Sequence, residues 1–178
     1  GRAAQSGVIA ADLAKLGLAG PRQILEGTHG FFAAACPDAE PERTVADTEA
    51  PWKILETSFK PWPTCRHSHS VIEAVLGLRD GIEAGAVAGI DIFTYREAVE
   101  FCDKPAPESA DDARFSLQHC AALALARGAP ELADFEAEGL ADAAVAALRA
   151  KAAVGEDTKF TEDFPERYGA RVEIRLDD

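Results

Sequence analysis

The sequence predicts an α+β protein, with a group of short helices and an acidic linker leading into a two-layer α/β sandwich. Three observations carry this. Ala170, Val172, Ile174 and Leu176 alternate with Arg171, Glu173, Arg175 and Asp177, the period of a strand with one dry and one wet face. Amphipathic helical patterns recur further upstream, over 71–79, 110–126 and 140–148. After the opening helices and linker the elements run β-α-β-α-α-β-β, with strands and helices segregated as in a sheet backed by a helical layer.

Taken in order, residues 1–16 read as a helix. Ile9, Leu13 and Leu16 share one face, the alanines around them allow close packing, and Gly17 is suited to cap the C-terminus. Gly20-Pro21 restarts a short helix over 20–27, with proline at its first position. A third short helix spans 30–36 and ends at Pro37. Residues 37–51 are polar, acidic and proline-bearing, as expected of a surface loop or linker. The domain boundary is placed at residue 50, so that 1–50 form one part and 51–178 the other.

Residues 52–59 read as a strand. Ser70-Val71-Ile72-Glu73 fits a capping box for the helix over 71–79, with Thr64 as a competing, earlier N-cap. Residues 85–95 read as a strand in which Ile90, Ile92 and Thr94 alternate with Asp91, Phe93 and Tyr95. Lys104-Pro105-Ala106-Pro107 is a loop. One long helix over 110–126 turns Phe115, Ala122 and Leu123 inward and stops at Gly128-Ala129-Pro130. A further helix over 140–148 precedes a short strand at 151–154. The strands 52–59, 89–95 and 170–177 are expected to share one sheet.

Composition narrows the functional classes. The chain has 178 residues, is 47% hydrophobic and 28% charged, and carries a net charge of -13. That is an ordinary globular composition, and so acidic a chain is not expected to bind nucleic acid. Every apolar run is broken by charge, glycine or proline before it reaches membrane-spanning length, and no signal-peptide pattern opens the chain. Cys36, Cys65, Cys102 and Cys120 are dispersed, which predicts reduced thiols and a cytoplasmic setting. The chain contains no methionine, opens within a helical pattern and stops within a strand pattern. It reads as a piece of a longer protein.

Titratable residues concentrate between Phe59 and Ser70. Pro61 and Pro63 stiffen the backbone beyond Lys60, and Cys65, Arg66, His67 and His69 follow. An anionic ligand of this acidic chain needs locally placed cations, and this loop supplies them. Lys60 is a candidate carboxylate ligand, although spacing alone favours a surface lysine at a strand end. His69 precedes a helix N-terminus, where anions are favoured, and reads equally as a half-buried histidine at a helix start. Cys65-x-His67-x-His69 has donors that suit zinc, but no second Cys/His cluster completes a four-ligand set. A metal-free protein is expected. Arg114-Phe115-Ser116 reads as packing plus a surface ion pair.

Five pieces of the sequence, in order, resemble the MmgE/PrpD family. They are Gly1-Arg2-Ala3-Ala4-Gln5-Ser6-Gly7, Gly20-Pro21 through Gly30-Phe31, Phe59-Lys60-Pro61-Trp62-Pro63 with His69, Ala113-Arg114-Phe115-Ser116-Leu117, and Gly128. The family includes 2-methylcitrate dehydratases, cis-aconitate decarboxylases and iminodisuccinate epimerases. The resemblance implies a large all-helical domain, of which residues 1–36 are the last helices, and a smaller α+β domain. It also implies a homodimer, a small polycarboxylate substrate and no metal or organic cofactor. Much of the active site is expected from residues upstream of Gly1. Lys60 and His69 match the family's catalytic positions, and Lys60, Arg66 and His67 are candidates for substrate binding. The departures are Trp62 for the usual tyrosine or phenylalanine, Cys65 at a variable position, His119 for a common tyrosine, and Phe101 near a position where some decarboxylases have tyrosine. The implied function is that of a lyase, with dehydration of a hydroxy-polycarboxylate such as 2-methylcitrate placed first. A decarboxylase or epimerase of the same family is the alternative, and a non-catalytic dimerisation or ligand-binding module the alternative of another class.

Overall fold

The computed structural model describes residues 1–36, 38, 40, 42 and 50–177. The chain forms two compact units, Gly1–Thr57 and Ser58–Asp178. In the first, helix α1 (Arg2–Lys15) ends at Gly17, whose φ of +91° is open to glycine at no steric cost. Leu18 N–H turns back to the Leu13 carbonyl at 3.0 Å and closes the helix end. The expected helix over 20–27 is instead a series of turns. The chain doubles back at Gly30, so that Phe31 and Phe32 donate to the carbonyls of Ile24 and Leu25 at 2.7 and 3.1 Å. A continuing helix needs those carbonyls for itself. Helix α2 (Phe31–Ala35) follows, and neither helix buries a residue completely.

The expected strand at 52–59 is absent. Lys53–Glu56 form one 3-10 turn held by local bonds, Leu55 N–H to Trp52 O and Thr57 N–H to Ile54 O. Trp52, Ile54, Leu55 and Phe59 are all exposed. Their β-prone side chains mimic a strand, but the local bonds of the 3-10 turn take up the backbone groups a strand would offer to a neighbour.

The second unit contains α3 (His69–Leu78), β1 (Val87–Thr94), α4 (Arg96–Cys102), α5 (Ala110–Arg114), α6 (Leu117–Arg127), α7 (Ala137–Leu140), α8 (Ala143–Arg149), β2 (Ala152–Glu156), α9 (Thr158–Asp163) and β3 (Ala170–Leu176). Among the described residues the sheet runs β2-β1-β3, with β2 parallel and β3 antiparallel to β1. Ile92 aligns with Val154 on one side and Val172 on the other. This register gathers the apolar residues of all three strands on one face, where α3, α6 and α8 complete the core. The opposite face is polar, with Arg175 on Asp91 at 2.9 Å and the Arg171 guanidinium 4.2 Å above the Phe93 ring. The result is the α+β two-layer arrangement expected, with the strands at 87–94 and 170–176 where the alternation places them and the short strand expected at 151–154 found at 152–156.

Two expected helices are broken. Ser109 caps α5 by accepting the Asp112 N–H, and Ser116 caps α6 by accepting the His119 N–H at 3.0 Å. The break turns Phe115 outward, not inward as expected, and leaves it 43% exposed. It also frees the Arg114 carbonyl, which a continuous helix would pair with the N–H of residue 118. Asp142 splits the later helix in the same way, capping α8 through Ala144 and Val145 N–H. The Ser70–Glu73 capping box does not form. A 3-10 turn, Arg66–Ser68, leads directly into α3 at His69. Helices α4 and α9 are not expected from the sequence.

Candidate anion-binding loop

The segment from Lys60 to His69 is pinned to the helical layer at one point. The Arg114 carbonyl, released by the α5–α6 break, accepts both the Cys65 N–H at 2.9 Å and the Thr64 hydroxyl at 2.5 Å. Thr64 is 5% exposed, and its oxygen also lies 3.1 Å from Ser68 Oγ and 3.3 Å from Cys120 Sγ. Ser68 closes the turn by donating to the Cys65 carbonyl at 2.8 Å. With Pro61 and Pro63 fixing φ on either side of Trp62, the loop has little freedom. Thr64, read from sequence as a possible helix cap, is the anchor of the loop.

An open cavity of about 560 Å³ lies over this loop, lined by Lys60, Trp62, Thr64, Cys65, Arg114 and Phe115 among others. Of Lys60, Arg66, His67 and His69, the candidate catalytic and substrate-binding residues, Lys60 alone lines it. Lys60 is exposed and its Nζ rests 3.4 Å from the Thr64 carbonyl, without a carboxylate partner among the described residues. Arg66 also lacks a carboxylate partner there, donating to the Phe59 carbonyl and lying 5.5 Å from the Tyr168 ring centre. Arg114, in contrast, is neutralised by Asp111 and Glu136 at 3.1 and 2.8 Å. That confirms the packing and ion-pair reading of its side chain. In a chain this acidic, two adjacent cations left unpaired mark a locally positive surface.

His69 packs edge-on against Trp62, with ring centres 5.3 Å apart, and its Nε2 is buried without a hydrogen-bond partner among the described residues. Burial lowers its pKa. The Thr64 and Trp62 carbonyls oppose that shift, while the charges of Lys60 and Arg66 reinforce it. His69 is therefore neutral at pH 7. His67 turns elsewhere, with its Nδ1 2.5 Å from the Tyr95 hydroxyl. Burial lowers its pKa too, against the pull of Glu97 and with the help of Lys60. Cys65 packs on the core beside Cys102. The three donors of Cys65-x-His67-x-His69 thus point to three different neighbours. Among the described residues no group of three or more His, Cys, Asp or Glu is placed to hold a metal ion. All four cysteines are free thiols, and burial pushes those of Cys102 and Cys120 up, the latter to about 11.

His119 lies outside the loop, fully buried in α6. Arg149 Nη1 is 3.2 Å from its Nδ1. Arginine can only donate, so Nδ1 accepts. Burial first, and then the Arg149 charge, depress its pKa to about 4. The unfolded chain takes up a proton below pH 6.5, whereas the folded protein resists it down to about pH 4. Stability is therefore expected to fall as pH drops across that window, by up to about 3 kcal/mol, and to lose nothing more from this group below it. Urea unfolding at stepwise lower pH reads this directly. His119→Gln should flatten that part of the decline, and an unchanged slope in the variant would assign the acid sensitivity to other groups.

Comparison with known proteins places the second unit. The family model of the MmgE/PrpD C-terminal domain matches residues 62–178. Human (Homo sapiens) cis-aconitate decarboxylase is 31% identical over 136 residues, which cover 72% of this chain and 28% of that protein. The Mus musculus cis-aconitate decarboxylase is 29% identical over 146 residues, covering 78% of this chain and 30% of its own length. The chain thus spans less than a third of these curated relatives. No helix among the described residues is long and apolar enough to cross a membrane.

Proposed function

The chain belongs to the MmgE/PrpD family, and from that premise we propose that its Lys60–His69 loop binds a carboxylate of a small polycarboxylate in a lyase reaction. The observation that carries this is Lys60, an ammonium without a carboxylate partner among the described residues, at a cavity wall that Pro61, Pro63 and the Thr64–Arg114 anchor hold in place. Removing water or CO₂ from a polycarboxylate builds negative charge next to groups that are already anionic. A cation fixed before the reaction stabilises that charge without reorganising. Arg66 adds to the same positive field. His69, neutral at pH 7, orients the loop through Trp62 and leaves the charge to Lys60.

Dehydration of a hydroxy-polycarboxylate such as 2-methylcitrate is the first reading. Decarboxylation of an unsaturated tricarboxylate is the second, supported by the names of both curated relatives. In either case the proton-transfer groups come from other parts of a homodimeric enzyme. The test is to incubate the full-length protein with citrate, 2-methylcitrate and cis-aconitate, following double-bond absorbance and released CO₂. Absorbance growing from a hydroxy-acid without CO₂ supports the first reading, and CO₂ from cis-aconitate the second. Turnover of none of them, with binding retained, leaves a carboxylate-binding module.

A further inference from the structure

His67 and Tyr95 form a pair that no local pattern connects, 28 residues apart in sequence. Tyr95 is fully buried, and among the described residues His67 Nδ1 is the sole hydrogen-bond partner of its hydroxyl. A buried O–H without an acceptor is costly, so the phenol proton points at Nδ1. Nδ1 is then the acceptor, and the proton of a neutral imidazole resides on Nε2. Nε2 has no partner among the described residues and is not among the buried polar atoms left unpaired. The ring is held by its neighbours, stacked on Phe101 and Tyr168 at 5.9 and 6.1 Å between centres, with Phe164 at 6.2 Å. Two charges act on it, Glu97 favouring the imidazolium and Lys60 opposing it, while burial favours the neutral form. The phenol itself stays protonated, since burial raises its pKa.

We infer that Tyr95 is a positioning residue that locks His67 as the neutral Nε2–H tautomer, so that His67 offers a hydrogen-bond donor to a carboxylate or carbonyl oxygen and does not act as a base. The ligand in that statement rests on the function proposed above, whereas the tautomer does not. The Lys60 charge reaches the ring although His67 does not line the cavity, so a donor fixed in direction adds a polar contact within the field of that cation without adding a further charge. It donates to an anionic oxygen and gives no support to a proton abstraction.

The test is ¹⁵N–¹H correlation of the imidazole rings in the labelled chain at pH 7. The expected result is a protonated Nε2 and an unprotonated Nδ1 for His67, with about tenfold or greater preference over the other tautomer. Tyr95→Phe should abolish that preference while the backbone spectrum stays folded. An Nδ1–H signature, an imidazolium at pH 7, or an unchanged ratio in Tyr95→Phe overturns the lock. Citrate is then added to the full-length protein. The expected result is a shift at His67 Nε2, with His67→Gln, which keeps an N–H donor, binding citrate within about threefold of wild type and His67→Phe binding about tenfold more weakly. Citrate that binds in a Lys60-dependent way without moving Nε2 overturns the donor role and leaves the carboxylate reading of the loop intact. Citrate that does not bind overturns both that reading and the donor role, and the tautomer measurement alone then decides the lock.

Discussion

Lys60→Ala in the full-length protein is expected to lower kcat/KM by about a hundredfold or more, the scale of losing one preorganised charge-stabilising donor. Three features of the structure support so large an effect. The side chain has no carboxylate partner among the described residues. It lines the cavity above the loop. Its backbone leads directly into Pro61, Pro63 and the Thr64 anchor, which narrows where the ammonium can reach. Lys60→Arg is expected to restore little, because a planar fork does not occupy the position of a compact ammonium. Steady-state kinetics with the best substrate found, together with urea unfolding to show that each variant is folded, checks both. A Lys60→Ala enzyme within a few-fold of wild type would return Lys60 to the role of an exposed loop residue.

Thr64→Val is expected to show the second-largest effect, in stability as well as in activity. The hydroxyl is buried and meets three partners, the Arg114 carbonyl, Ser68 Oγ and Cys120 Sγ. Valine keeps the shape and removes all three contacts. The Arg114 carbonyl would keep only the Cys65 N–H. Buried polar groups left short of partners cost about 1–3 kcal/mol, so a loss of about 2 kcal/mol is expected in urea unfolding. Thr64→Ser restores the hydroxyl and should recover most of it. Because the same anchor positions Lys60, kcat/KM should fall about tenfold in Thr64→Val even where the protein is fully folded. Lost stability with unchanged turnover would show that the anchor serves the fold alone.

The strands at 87–94 and 170–176 were legible because core-facing residues alternate with residues of the polar face, whereas Ala152–Glu156 carries no such alternation and is expected from the sequence only as a short strand at 151–154. The segment at 52–59 carries similar residues but closes a local 3-10 turn instead of pairing with a strand, and its β-prone composition alone does not reveal that. The break between α5 and α6 was hidden for a related reason. Arg114-Phe115-Ser116-Leu117 keeps helical apolar spacing, but Ser116 takes the His119 N–H, and Thr64 and Cys65 claim the released Arg114 carbonyl. Those last contacts come from 50 residues away. The site divides in the same manner. Lys60, Arg66, His67 and His69 stood out because they are neighbours in sequence. Tyr95 and the Arg114 carbonyl, which orient His67 and Thr64, are brought in by the fold and have no motif of their own. His69 and His67 were grouped with Lys60 by proximity along the chain, and the structure gives them different surroundings, one against Trp62 and the other against Tyr95.

The most direct measurement is a crystal structure of the full-length protein with a non-reacting tricarboxylate bound. The expected result is a carboxylate oxygen within about 3 Å of Lys60 Nζ, the length of a charge-assisted hydrogen bond, with the Thr64–Arg114 anchor unchanged. A tricarboxylate bound elsewhere, with Lys60 Nζ facing only solvent, would contradict the assignment of this loop as the carboxylate site.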